Sequence, residues 1–167
     1  MDELRRGIAA LLPKLRRVAW ALTQHEADSL DLFQAAVEKA LSHEAGAPGS
    51  DRLGYWMLRI MKNLWIDEMR KRRRWQRIVT PLPDDNDPSD EGDAVTASER
   101  RVELARVRQV LETMPEDHRL PIQLVVMGDL SYGEAAEFLD ISVSAFASRL
   151  ARARSGLLQT LKAQEAS

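Results

Sequence analysis

Apolar positions along this chain recur every three or four residues, the period of a helix, and no stretch alternates as a strand would. Over residues 3–24, Leu4, Ile8, Leu11, Leu12, Leu15 and Ala19 fall roughly on one side, and Pro13 is expected to kink that helix or split it in two. A second helix is predicted over 26–42, with Leu30, Phe33, Val37 and Leu41 as its stripe. "GAPGS", Gly46 to Ser50, reads as a loop. A long helix follows over about 52–75, with Trp56, Met57, Ile60 and Leu64 as its expected core face. Helical patterning resumes near 97–114, 120–128, 131–139 and 143–163.

Between the two helical runs lies "TPLPDDNDPSDEGD", Thr80 to Asp93, with three prolines. Residues 84–99 carry seven acids and no base. Such a segment buries too little apolar surface to offset its own ordering entropy. The expected fold class is therefore all-α: two small helical domains, 1–77 and 100–165, joined by a flexible acidic linker, 78–99. A hydrophobic content of 44% is enough for each domain to bury a core. The absence of cysteine excludes disulfides and thiolate metal sites and suits a reducing compartment. The first twenty residues carry charges throughout, unlike a signal peptide, and no run approaches the roughly eighteen apolar residues of a membrane span. A cytoplasmic protein without membrane insertion is expected.

Net charge is only −2, but its distribution is uneven. Residues 1–77 hold 15 Lys+Arg against 10 Asp+Glu, and residues 141–162 hold Arg149, Arg152, Arg154 and Lys162 with no acid. Two basic zones flanking an acidic spacer raise the odds of a polyanion partner. The stretch "LSYGEAAEFLDISVSAFASRLARARSGL" adds a shape to that charge. Ser131 and Glu134 form a capping box, and Ser142 is an N-cap for the next helix. Ala135, Ala136 and Leu139 make one apolar face; Val143, Phe146 and Leu150 make the next. Two short helices, a three-residue turn and a cationic second helix describe a helix-turn-helix, whose second helix enters the major groove while its arginines meet phosphates. An ordinary helical hairpin with solvated arginines is the other reading of the same pattern.

"GDLSYGEAAEFLDISVSAFASRLARARSGLLQTL" resembles the promoter-reading fourth region of extracytoplasmic-function (ECF) sigma factors, and "VLETMPEDHR", Val110 to Arg119, resembles that region's lead-in. "DLFQAAVEKAL", Asp31 to Leu41, and "YWMLRIMKNLWIDEMRKRRRW", Tyr55 to Trp75, are similar to the family's second region. The resemblance spans about residues 4–163. It implies a sigma factor that directs core RNA polymerase to promoters and assists strand opening, with core polymerase (its clamp coiled coil and flap), promoter DNA and an anti-sigma factor as partners. Carried over residue by residue, it implies that Asp31, Leu32, Phe33 and Gln34 contact polymerase. Asn63, Asp67, Arg70, Lys71, Arg72, Arg73 and Arg74 would meet minus-ten DNA. Ser144, Ala147, Ser148, Arg149, Arg152 and Arg154 would meet minus-thirty-five DNA. Loop 43–52 would help hold an unstacked base, and the linker would thread toward the polymerase channel.

The chain departs from the family wording at several places. Ala145, Phe146 and Ala147 stand in the recognition helix where Thr, Val and a cation are usual, and alanine has no donor for a base edge. Ala35 and Ala36 replace Glu-Thr, Pro121 interrupts an expected helix and is placed at a first helical turn, and Asp140 occupies a turn position that favours glycine. A sigma-like decoy that titrates an anti-sigma factor without initiating transcription is the alternative. Nothing points to an enzyme, a cofactor or a metal. His25, His43 and His118 lack ligand spacing, no glycine-rich phosphate loop is present, and Asp84, Asp85 and Asp87 lack the glycine and glutamate of a calcium loop.

Overall fold

The computed structural model describes residues 2–78 and 96–166, all in helices and short connections, with no strand among the described residues. Most of the expected acidic linker therefore lies outside the described residues. Helix α1 (Asp2–Thr23) runs through Pro13 as one helix, so of the expected kink or split the split does not occur. Pro13 lies on the exposed side, where the carbonyl it leaves without a donor can face water instead of the core. Ile8, Leu15, Val18, Ala19 and Leu22 form its buried face. Gln24, at φ 54°, ends it, and its side-chain amide donates to the carbonyls of Trp20 and Ala21 at 3.0 and 3.1 Å.

Helix α2 (Glu26–Ser42) starts at His25, whose Nδ1 accepts from the Asp28 amide at 3.4 Å. Its buried stripe is Leu32, Ala36 and Ala40, not the expected Leu30, Phe33, Val37 and Leu41. Leu30 and Leu41 are 44% and 42% exposed. Phe33 and Val37 are half-buried against the core, while Leu30 and Leu41 lie outside it; small alanines let α2 lie close to its neighbours, so the alanine face goes deepest. A 3-10 turn (Glu44–Gly46) leads to α3 (Ser50–Ile78). Its core face is Leu53, Met57, Leu58, Ile60, Met61 and Trp65, while Trp56 and Leu64 are only half-buried beside it. The three helices enclose one core, and the last turns of α3 extend beyond it with every residue from Arg70 exposed.

The second module begins with α4 (Thr96–Thr113), four residues inside the segment assigned to the linker. Arg106 ties it to the end of the chain, donating to the Leu161 carbonyl at 3.1 Å. Helix α5 (Glu116–Ile122) starts after Pro115, four residues before the expected start at 120. Pro121 is thus the sixth helical residue, fully buried, and not in a first turn. The chain then widens into a π turn (Gln123–Met127), closed by the Gly128 amide donating to the Gln123 carbonyl at 2.9 Å. A Cβ on Gly128 would sit 2.6 Å from the Leu124 carbonyl oxygen, so this close approach requires glycine.

Helix α6 (Tyr132–Phe138) has the expected capping box: the Glu134 amide donates to Ser131 Oγ, and the Ser131 amide to Glu134 Oε2. Asp140 turns the chain at φ 55°. Helix α7 (Val143–Glu165) starts at Ser142, whose hydroxyl accepts from the Ala145 amide at 3.1 Å. Phe146, Leu150 and Ala153 face inward, together with Ala135, Ala136 and the unanticipated Phe138. Val143, expected inside, is 51% exposed. The modules meet where α6 lies on α3 and the π turn lies on α1.

Candidate nucleic-acid and polymerase interfaces

In α7, successive residues are about 100° apart, so Ser144, Ser148 and Arg152 line the face opposite Phe146, Leu150 and Ala153. Ala147 and Arg154 lie on one flank of that face and Arg149 on the other. Ala147 is half-buried and the other five are exposed. Among the described residues Arg149, Arg152 and Arg154 have no acidic partner; Arg152 Nε donates only to the Ser148 carbonyl, at 3.4 Å. The short hydroxyls leave a shallow surface and the arginines surround it. This arrangement lets phosphates be held without competition from the protein's own carboxylates, with base edges met by serine and alanine.

The cationic end of α3 is more heterogeneous than its wording implied. Arg72 donates to Asp28 on α2 at 2.7 Å and to Glu68 at 3.2 Å. The Asp28 hydrogen bond, outweighing partial burial, holds its guanidinium above its ordinary pKa. Arg73 reaches Glu116 at the start of α5 at 3.4 Å, and Arg70 lies 3.9 Å from Asp67. Lys71 and Arg74 have no acidic partner among the described residues. Of the five neighbouring cations, three are offset internally. Asp67 is exposed one turn past Asn63. Asn63 is exposed too, but it faces a hollow of about 260 Å³ between α3 and α6.

Of the four residues assigned to polymerase contact, Asp31 and Gln34 are exposed and Phe33 is half-buried under the Arg16 guanidinium, 5.7 Å from its ring centre. Leu32 is 8% exposed and belongs to the core, so it supports that surface from below and offers no side chain to a partner. Two features escaped the sequence reading. Arg52, Arg59 and Lys62 share the α3 face that carries Asn63, a spacing of seven and three residues that could have been read as a basic stripe. Trp75 is 61% exposed beside Lys71 and Gln76, an aromatic within a cationic run.

Two carboxylates at the module boundary are perturbed. Burial alone would push Glu134 up, but the hydrogen bond from Lys14 at 2.5 Å, with those from Ser131, lowers it below the ordinary carboxylate range. Asp140 is lowered mainly by its hydrogen bond from Lys62, also at 2.5 Å. A carboxyl with a depressed folded pKa adds stability that is present above its unfolded value, about 4, and lost as pH falls through the folded value. Thermal stability is therefore expected to fall with acidification from about pH 5 to pH 2, and Glu134→Gln, which retains the cap, to flatten that slope. Melting curves across this range check it; an unchanged acid slope in Glu134→Gln contradicts it.

Residues 8–75 match the family model for sigma-70 region 2, and residues 104–157 match that for sigma-70 region 4. The chain is 32% identical over 157 residues to the ECF RNA polymerase sigma factor EcfG of Rhodopseudomonas palustris (strain TIE-1), covering 93% of this chain and 83% of that protein. It superposes on the sigma factor RpoE of Bartonella quintana, solved in complex with the anti-sigma factor NepR, with a TM-score of 0.74 and 25% identity over 97% of this chain and 98% of that one. The structure of CnrH in complex with the cytosolic domain of CnrY gives a TM-score of 0.62 and 26% identity over 96% and 88% of the two chains. No helix among the described residues is long and apolar enough to cross a membrane. With both regions matched and a full-length relative above 30% identity, the chain belongs to the ECF sigma factors of the sigma-70 family.

Proposed function

We propose that the two modules read one promoter together, in the manner of the family. The observation that carries this is the solvent face of α7, where three arginines without acidic partners surround Ser144, Ala147 and Ser148. Arg149, Arg152 and Arg154 take phosphates of the minus-thirty-five duplex, and the serines and Ala147 meet base edges. The N-terminal module, about residues 1–77, meets the minus-ten strand through Asn63, Asp67, Arg70, Lys71, Arg72, Arg73 and Arg74. It docks on core polymerase through Asp31, Phe33 and Gln34, with Leu32 as their support. The protein itself catalyses nothing and needs no cofactor; the polymerase makes RNA, and the sigma subunit selects the start. The work is cytoplasmic, and an anti-sigma factor holds the chain in check; the RpoE it resembles was solved in complex with the anti-sigma factor NepR.

Run-off transcription tests this reading. Added to core polymerase with genomic promoter fragments, the chain is expected to give discrete transcripts that core enzyme alone does not make. A sigma-like decoy would bind an anti-sigma factor and yield none, so binding without transcripts overturns the proposal.

A further inference from the structure

The end of α3 carries an aromatic residue that the core does not account for. Residues 70–78 are all exposed. Six of them are cations, none is an acid, and the other three are Trp75, Gln76 and Ile78. Like charges stand one turn apart at Arg70 and Arg74 and at Arg73 and Arg77, a spacing that opposes the helix. The ion pairs of Arg70, Arg72 and Arg73 offset part of that repulsion but give Trp75 no contact. Trp20 and Trp56 are half-buried and Trp65 is buried, so Trp75 is the one exposed tryptophan of the four. Among the described residues no ring and no cation stacks on it.

Trp75 borders a hollow of about 320 Å³ whose other lining residues are Glu68, Lys71, Arg72 and Gln76. On a helix these five positions share one face. They differ in what they can still bind. Glu68 is neutralised by Arg72 at 3.2 Å, and Arg72 is fixed in turn by Asp28 at 2.7 Å. Lys71, one turn before Trp75, has no acidic partner among the described residues. A flat aromatic ring beside a free ammonium matches two parts of a nucleotide, the base face and the phosphate. A duplex hides its base faces in the stack, so the matching ligand is single-stranded. A run of carboxylates would meet the cations equally well, but it gives the indole no planar partner.

We propose that Trp75 and Lys71 form a site for one unpaired nucleotide of single-stranded DNA, with the base stacked on the indole and a phosphate held by the ammonium. Assigning that nucleotide to a promoter strand rests on the sigma-factor reading; the stacking itself does not. At about 1.5 Å of rise per residue, Trp75 stands roughly 35 Å along α3 from loop 43–52, the segment that the family resemblance implies for holding an unstacked base. It is therefore a second holding point, at the opposite end of the same helix. Stacking tolerates any base, because every base has a π face, so this point adds grip without adding sequence preference.

The test uses the full chain. Labelled oligo-dT and an abasic oligomer of the same length and charge are titrated by fluorescence anisotropy. Trp75→Ala is expected to weaken oligo-dT binding about 5- to 150-fold, the effect of losing one stacked base, and to leave the abasic oligomer unaffected. Trp75→Phe should keep most of the affinity, whereas Trp75→Leu, apolar but without a π face, should behave like Trp75→Ala. The loss at Trp75 should be the same at every salt concentration, while Lys71→Ala should make the dependence of log K on log salt shallower by about 0.7. Oligo-dT should also quench the native tryptophan emission, and that quench should vanish in Trp75→Phe, where the three shielded tryptophans remain. Because every residue around the ring is exposed, melting curves should show Trp75→Ala folded like the native chain. Equal losses on oligo-dT and the abasic oligomer, or no binding of oligo-dT by the native chain, overturn the proposal. Polyglutamate bound more tightly than oligo-dT, and weakened by Trp75→Ala, would assign the face to an acidic protein and overturn it too. Stacking without transcripts from core polymerase leaves the site standing and removes its promoter role; transcripts without stacking give the reverse.

Discussion

Phe146→Ala is expected to cost about 3–5 kcal/mol, the usual range for emptying a buried phenylalanine site. The ring is fully buried and makes an edge contact with Tyr132, centroids 5.5 Å apart at 67°. It sits where α5, α6 and α7 converge, with Leu124, Ala135, Leu150 and Ala153 buried in the same cluster. These neighbours belong to the π turn, α6 and α7, and the two helices are fixed by side-chain caps at Ser131 and Ser142, so the site has little freedom to collapse into the space left behind. A small domain holds about 5–15 kcal/mol in all, so the loss is a large fraction of the second module's stability. At roughly 4–8 °C per kcal/mol for a module of this size, its melting point should drop by about 15 °C or more. Val143→Ala, three residues earlier on the exposed side, is the comparison and should move it by a few degrees at most. Calorimetry or circular dichroism on the two variants decides; similar melting points would mean that Phe146 does not anchor α7.

That pair of residues also shows what could be read from the chain alone. The capping box at Ser131, the N-cap at Ser142 and the positive φ at Asp140 are local properties of a few adjacent residues, and each is found as expected. Which face goes inward is not local. Residues 30, 33, 37 and 41 of α2 make a good apolar stripe, yet Leu32, Ala36 and Ala40 are the buried set, because close helix approach favours small side chains over large ones. Val143 shares the periodicity of Phe146 and Leu150, yet it is exposed while they are buried. Pro121 was placed in a first turn by a general preference of proline, which the buried environment overrode.

The candidate site was legible in kind but not in pairing. A run of cations from Arg70 to Arg74 is visible in the sequence; that Arg72 and Arg73 are taken by Asp28 and Glu116 depends on helices brought together from 44 and 43 residues away. The same holds for Arg52, Arg59 and Lys62, whose common face means little until α6 is laid across it. Charge composition locates a binding surface only as far as the protein's own acids leave it free.

The second large effect follows from that distinction. Lys71→Ala with Arg74→Ala should weaken promoter binding by the polymerase holoenzyme roughly 10- to 100-fold at 0.1 M salt, and make the dependence of log K on log salt shallower by about 2. Each unpaired cation that meets a phosphate releases about one counterion, and these two have no acid to relinquish first. Arg72→Ala with Arg73→Ala removes the same formal charge, but its effect on the slope should be smaller. Arg72 is held to Asp28 and Glu68, so a phosphate gains from it only what those carboxylates lose. Removing it also leaves Asp28 without its guanidinium partner, which should lower the melting point of the α2–α3 pair while Lys71→Ala with Arg74→Ala leaves it nearly unchanged. Arg73 is paired with Glu116 on α5, so its loss also removes one ion pair between the modules. Binding of the holoenzyme to a promoter fragment identified by run-off transcription, measured at several salt concentrations, separates the two cases. Equal slopes for both double variants would mean that the internal ion pairs do not govern which cations DNA can use, and that the run from Arg70 to Arg74 acts as one undifferentiated patch.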